Sequence, residues 1–127
     1  MEPPLGERFA RAVAEKDFAA AVSLFHPDVD FRGMTPGETW QAADPETVKR
    51  EILPRWYEEH DHIDDLLEVE NGSVGDRRRI RYLYAVHNPD GEFLIEQQAY
   101  YEVRGGAITW MRVLCSGWRP RDARPED

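Results

Sequence analysis

The sequence predicts an α+β domain in which a cone-shaped, curved antiparallel sheet wraps around three N-terminal helices. Three observations carry this expectation. The 127 residues suffice for one domain and not for two. Apolar residues recur at helical spacing as far as Tyr57, and from Ile63 onward the apolar period becomes two. A single domain is expected over residues 1–127, with its ordered core at about 5–118. A chain of this length buries roughly two-thirds of its unfolded surface, so one core suffices without staples.

The first helix carries Leu5, Phe9, Ala12 and Val13 on one face. Asp17 is placed to cap a second helix with the face Phe18, Ala21, Val22 and Phe25, and Pro27 is expected to end it. Asp28–Phe31 alternates, which predicts a short strand with Val29 and Phe31 inward. Residues 33–43, with Gly33, Pro36 and Gly37, read as a loop. Asp44-Pro45-Glu46-Thr47 is a helix start, with an N-cap aspartate and proline at the first helical position. Val48, Ile52, Leu53, Trp56 and Tyr57 follow, and Pro54 should kink or divide this third helix.

In the sheet, a turn expected within Asn71–Asp76 pairs Val69 with Arg78 and Leu67 with Ile80. That sets Glu70 against Arg77 and Glu68 against Arg79, opposite charges across the ladder. Asn88-Pro89-Asp90-Gly91 suits a type I turn and pairs Val86 with Phe93, Tyr84 with Ile95, Tyr82 with Gln97 and Ile80 with Ala99. After Gly105-Gly106 two registers stay open. A plain two-residue turn puts Ile108, Trp110, Arg112 and Leu114 inside; a bulged one puts Met111, Val113 and Cys115 inside. The tail from Arg119 is expected to be loose.

Charge and composition narrow the partners. Sixteen basic against 25 acidic residues give a net charge of −9, which argues against nucleic acid and anionic membrane surfaces. The lone Cys115 excludes an intramolecular disulfide and a thiolate metal cluster. No signal peptide is readable after Met1-Glu2-Pro3-Pro4, and a cytoplasmic location is expected.

Three stretches, FARAVAEKDFAAAVSLF (9–25), HPDVDFRG (26–33) and YYEVRGGAITWMRVLCSGWRP (100–120), resemble the nuclear transport factor 2-like superfamily and its SnoaL-like domains, relatives of polyketide cyclases and ketosteroid isomerases. The resemblance implies a conical cavity between helices and sheet, homodimers through the convex face, and the bulged register of the last strand. It also supplies a check on chemistry. Ketosteroid isomerase-like members use a carboxylate base after the first strand, a tyrosine on the first helix and a protonated aspartate in the sheet. These positions fall here at Gly33, Phe9 and Ala99 (or Gln98), none of which can do that work.

The concave face is expected to offer Tyr82, Tyr84, Gln97 and Tyr101 to a ligand, with Met111 and Cys115 from the last strand and Trp40 and Trp56 at the mouth. The bland alternative is that these aromatics are core. Asp30 paired with His60 or His62 is the acid/base candidate, against the plainer reading of His60-Asp61-His62 as a polar helix end. Glu96 and His87 are expected on the outer face, and Arg77–Arg79 with Arg81 on a solvated, glutamate-paired face. No cofactor and no metal is expected. Two functions fit: a protein that binds a small hydrophobic oxygen-containing metabolite, and can transform it by cofactor-free acid/base chemistry such as cyclisation, dehydration or isomerisation; or a non-catalytic dimerisation module with a filled cavity.

Overall fold

A computed structural model describes residues 2–121. Helix α1, Leu5–Ala14, buries Gly6, Phe9, Ala10 and Val13 on its inner face. The Asp17 carboxylate accepts from the Ala20 N–H at 3.0 Å and so starts α2, Phe18–Val22. This helix ends five residues before Pro27. Phe25 and Pro27 belong instead to β1, Phe25–Thr35, whose Phe25, Val29 and Phe31 are buried.

The segment 33–43 is a hairpin rather than a loop. β1 runs to Thr35, Pro36-Gly37 turns with Gly37 at φ +79°, and β2, Glu38–Ala42, pairs back from Thr35↔Glu38 to Phe31↔Ala42. β2 is an edge strand, largely exposed, so it lacks the apolar alternation that would reveal it. The third helical region behaves as Pro54 requires. Asp44 caps α3, Pro45–Thr47, through the Thr47 N–H at 2.8 Å; a π-helical segment, Val48–Ile52, follows; and α4, Leu53–Trp56, restarts with Pro54 in its first turn. A proline at that position forfeits no helical hydrogen bond.

The remaining strands are β3 (His62–Val74), β4 (Arg77–Asn88), β5 (Gly91–Arg104), β6 (Ala107–Cys115) and the two-residue β7 (Arg119–Pro120). The sheet order is β2-β1-β6-β5-β4-β3, antiparallel except for the β1–β6 pair. β7 pairs Phe93 and Leu94 of β5, beyond the point where β6 stops at Gln97↔Cys115, so Arg119 and Pro120 are sheet and not loose tail. Residues 122–127 of the tail lie outside the described residues.

The β4–β5 register is the expected one throughout, including Tyr82↔Gln97 and Ile80↔Ala99. The β3–β4 register is not. Val69 pairs with Tyr82 rather than Arg78, four residues away, because β3 continues through Asn71-Gly72 to Val74 and the turn is Gly75-Asp76, with Gly75 at φ +59°. The shift is even, so charge still meets charge: Glu70 accepts from Arg79 at 2.6 Å and Glu68 from Arg81 at 3.4 Å. Two bulges then change the face of the rest of the strand, between Leu66 and Glu68 and between Ile63 and Asp65. Each adds one residue to β3. The inward residues therefore fall three apart, at Ile63, Leu66 and Val69, and Leu67 is exposed rather than inward.

β6 combines the two registers left open. Gly105-Gly106 is a plain two-residue turn with Val103↔Ile108, but a bulge follows before Glu102↔Trp110. Ile108, Met111 and Val113 are thus all buried, while Trp110 and Arg112 face outward. The core lies between the concave face and the helices. It is built on Phe9, Val13, Phe31, Leu53, Ile80, Tyr82, Tyr84, Ile95, Tyr101 and Met111. No described helix is long and apolar enough to cross a membrane.

Candidate functional site

One end of the cone is open. The opening lies between the β1–β2 hairpin (Thr35, Pro36, Trp40), α4 with the residue after it (Arg55, Trp56, Tyr57), β5 (Ile95, Gln97) and the chain beyond β6 (Cys115, Gly117, Trp118). The cavity holds about 280 Å³, just below the roughly 300–1,000 Å³ usual for small-molecule sites.

Its inner end is held by the β4–β5 register. The Tyr82 hydroxyl donates to Gln97 Oε1 at 2.7 Å, which engages the oxygen of the carboxamide. The Nε2 donors of Gln97 then have no partner among the described residues, although the side chain is 1% exposed. Two neighbours share this condition: the Tyr57 hydroxyl (residue 2% exposed) and the Trp56 indole N–H (7%). An unsatisfied buried polar group costs roughly 1–3 kcal/mol. All three groups belong to residues that border this one pocket, and each polar atom lies covered just behind its surface.

Burial, with Tyr82 and Cys115 adding to it, raises the Tyr57 pKa well above that of a free phenol. Tyr57 is therefore a neutral hydrogen-bond donor at physiological pH and not a base. Burial also raises Tyr82. At the mouth, Trp40 donates its indole N–H to Thr35 Oγ1 at 2.8 Å, packs edge-on to Trp56, and carries the Arg55 guanidinium 5.9 Å from its ring centre. Cys115 Sγ accepts from the Gly117 N–H at 3.3 Å. Arg55 is the only charged group among the described residues lining the cavity, which include no carboxylate and no imidazole.

Of the residues expected to face a ligand, the structure places Trp40, Trp56, Gln97 and Cys115 on the cavity wall. Tyr82 stands one hydrogen bond behind it. Tyr84, Tyr101 and Met111 are elsewhere in the core. Tyr84 donates to the Ala10 carbonyl at 2.6 Å and Tyr101 accepts from the Gly6 N–H at 3.0 Å, so both phenols tie the sheet to α1. Asp30 and His60 are not brought together. Asp30 alternates outward from Val29 and Phe31 and pairs with Arg112 at 3.2 Å on the convex face. His60 is exposed beside Glu58 and Asp61. Asp61 itself is buried, accepting from the Glu58 N–H and from Asn88, which makes this turn a structural one. Glu96 pairs with Arg81, and His87 with Asp64 at 2.7 Å, both on the outer side of the sheet. Arg55, Tyr57, Thr35 and Trp118 were not indicated by sequence pattern. The signal for Tyr57 was the helix break at Pro54, since Tyr57 leaves the helix at φ −133°, ψ 89° and so turns into the cone.

The position corresponding to the isomerase base is closed as well as unreactive. A Cβ on Gly33 would stand 2.5 Å from the Trp56 ring.

A mostly antiparallel sheet curved over α1, α2 and the broken third helix, with a cavity at its open end, defines the nuclear transport factor 2-like fold. Solved structures agree. A nuclear transport factor 2-like protein of Burkholderia thailandensis matches with a TM-score of 0.68 at 17% identity, over 91% of this chain and 92% of that one. A protein with a ketosteroid isomerase-like fold from Catenulispora acidiphila, in complex with trimethylamine, matches at 0.67 and 20%, over 98% and 100%. An epoxide hydrolase of the LEH-like type from Mycobacterium tuberculosis matches at 0.62 and 16%, over 88% and 80%. No protein-family model and no curated protein matches the sequence.

Proposed function

We propose that this protein binds a small, largely apolar metabolite bearing oxygen acceptors in the open end of its cone. The observation that carries the reading is the trio of buried, unpartnered donors on Tyr57, Trp56 and Gln97 around one cavity. Neighbours of the same fold named for epoxide hydrolysis and for a trimethylamine complex support a small-molecule role. If the ligand is transformed, the chemistry available is polarisation of a bound oxygen by Tyr57 and Gln97, because preorganised donors stabilise developing negative charge. Proton abstraction by Asp30 or His60 is not supported by their positions.

Tyr57→Phe tests the reading. Removing a hydroxyl that no described residue satisfies should leave the free protein as stable as before, or up to about 1–3 kcal/mol more stable. The same change should weaken binding of ketones or lactones by about tenfold. Thermal melts and tryptophan-fluorescence titrations read both. Unchanged affinity for every ligand that binds would remove the proposal.

The convex face supports a second proposal, a homodimer. Met34, Val74 and Leu114 are exposed there, and Trp110 lies between the Arg77 and Arg112 guanidinium groups at 4.1 and 4.4 Å. The same face carries Glu96 and Glu102. Both signs on one apolar patch make it self-complementary, as a two-fold interface requires. Sedimentation at micromolar concentration should show a dimer, and Trp110→Glu with Leu114→Glu should shift it to monomer. A monomeric parent protein would dispose of this idea.

A further inference from the structure

The proposed pocket has a polarity as well as a volume, and that polarity selects a ligand class. Trp56 and Gln97 carry unpartnered N–H donors at its border, and the Gln97 carboxamide oxygen already accepts from Tyr82. Thr35 Oγ1 is engaged with Trp40. The described residues of the wall include no carboxylate and no imidazole to pair an ammonium group. The mouth repeats the preference with a full charge. Arg55 is exposed, lines the cavity, and has no carboxylate partner among the described residues, in a chain with 25 acidic side chains against 16 basic ones. Its guanidinium lies over the Trp40 ring at the rim, the one full charge among the described residues lining the cavity, where a ligand's carboxylate can reach it. The rest of the wall is largely apolar, with the rings of Trp40, Trp56 and Trp118 and the side chain of Ile95.

On these grounds, and resting on the pocket reading above, we infer that the ligand is a compact keto acid or similar monocarboxylate. Its apolar body lies against the tryptophans, its carbonyl oxygen reaches the Tyr57 and Gln97 donors, and its carboxylate meets Arg55. The guanidinium fork suits a carboxylate in a way that a point cation does not. The cavity size confines the body to about one ring.

Calorimetric titration of the full chain with four related molecules tests this: 4-oxocyclohexanecarboxylate, its methyl ester, cyclohexanecarboxylate, and cyclohexylmethylamine. Protection of Cys115, on the cavity wall, from a thiol reagent locates the binding. The keto acid should bind tightest and the amine weakest. Arg55→Ala should weaken the keto acid about fivefold at low salt, an effect that shrinks as salt is added because the site is exposed. It should leave the ester unchanged, and Arg55→Lys should recover only part of the loss. If the ester or amine protects Cys115 as well as the keto acid does, or Arg55→Ala affects acid and ester alike, the acid assignment is overturned while the pocket reading stands. If none of the four binds or protects Cys115, both fall.

Discussion

Gly33→Ala is expected to destabilise the protein by about 1–3 kcal/mol, the usual cost of forcing extra atoms into a packed core. The added Cβ would lie 2.5 Å from two atoms of the Trp56 ring, far inside contact distance. The ring has little freedom to retreat, because Phe31 and Trp40 flank it with ring centres 6.0 and 6.4 Å away. Trp56→Ala alone should cost about 3–5 kcal/mol through lost contacts and the cavity left behind. The double variant should be less damaged than the sum, since each change relieves the other; contacting residues typically couple by roughly 0.5–3 kcal/mol. Denaturant unfolding of the four proteins measures the coupling, and strict additivity would mean that glycine and indole do not share this space. The chemical consequence is larger. Gly33→Asp, which would place a carboxylate at the isomerase base position, must first displace an indole from the wall of the cavity. A single substitution therefore does not convert this pocket into that active site.

How far the sequence revealed this arrangement depended on whether each signal was local. Asn88-Pro89-Asp90-Gly91 specifies its own turn, and the β4–β5 register followed correctly down to Tyr82↔Gln97. That parity is why Gln97 was identifiable as inward and Glu96 as outward. The β3–β4 turn was expected somewhere within Asn71–Asp76, and the strand passes straight through Asn71-Gly72 to turn only at Gly75-Asp76. Bulges leave no such mark. Those in β3 place Leu66 inward instead of Leu67, and alternation alone points to the wrong one of two adjacent leucines. The β1–β2 hairpin was hidden because its outer strand, Glu38–Ala42, buries too little to show a period. At the site, residue type was legible and reach was not. Tyr82, Tyr84 and Tyr101 all face inward as expected, yet two of the hydroxyls end on the backbone of α1, because the helix passes over that part of the sheet. Tyr57, in contrast, borders the cavity, and its hydroxyl meets no acceptor among the described residues.

The same phenols should set the alkaline limit of the fold. Tyr57, Tyr82 and Tyr84 are each raised above the ordinary phenol value of 10.0, with burial as the largest cause; for Tyr82 the Cys115 thiol adds to it, and for Tyr84 the neighbouring Tyr82 and Tyr57 phenols. For an acid raised on folding, the native state holds its proton after the unfolded chain has lost it. The stabilisation is complete below pH 10 and is lost as pH climbs from there toward the folded values. Each such group removes up to about 1.4 kcal/mol per pH unit. Three together remove up to about 4 kcal/mol per unit, so about one to four units suffice to offset a typical stability of roughly 5–15 kcal/mol. The protein should therefore unfold cooperatively above pH 10, with the phenolate absorbance of these residues appearing together with the loss of far-ultraviolet circular dichroism. Tyr57→Phe should flatten the dependence by about a third, because it removes one of three contributing groups while sparing the two that are hydrogen-bonded within the chain. Gradual ionisation of all five tyrosines with the circular dichroism intact would show instead that solvent reaches the hydroxyls of the core.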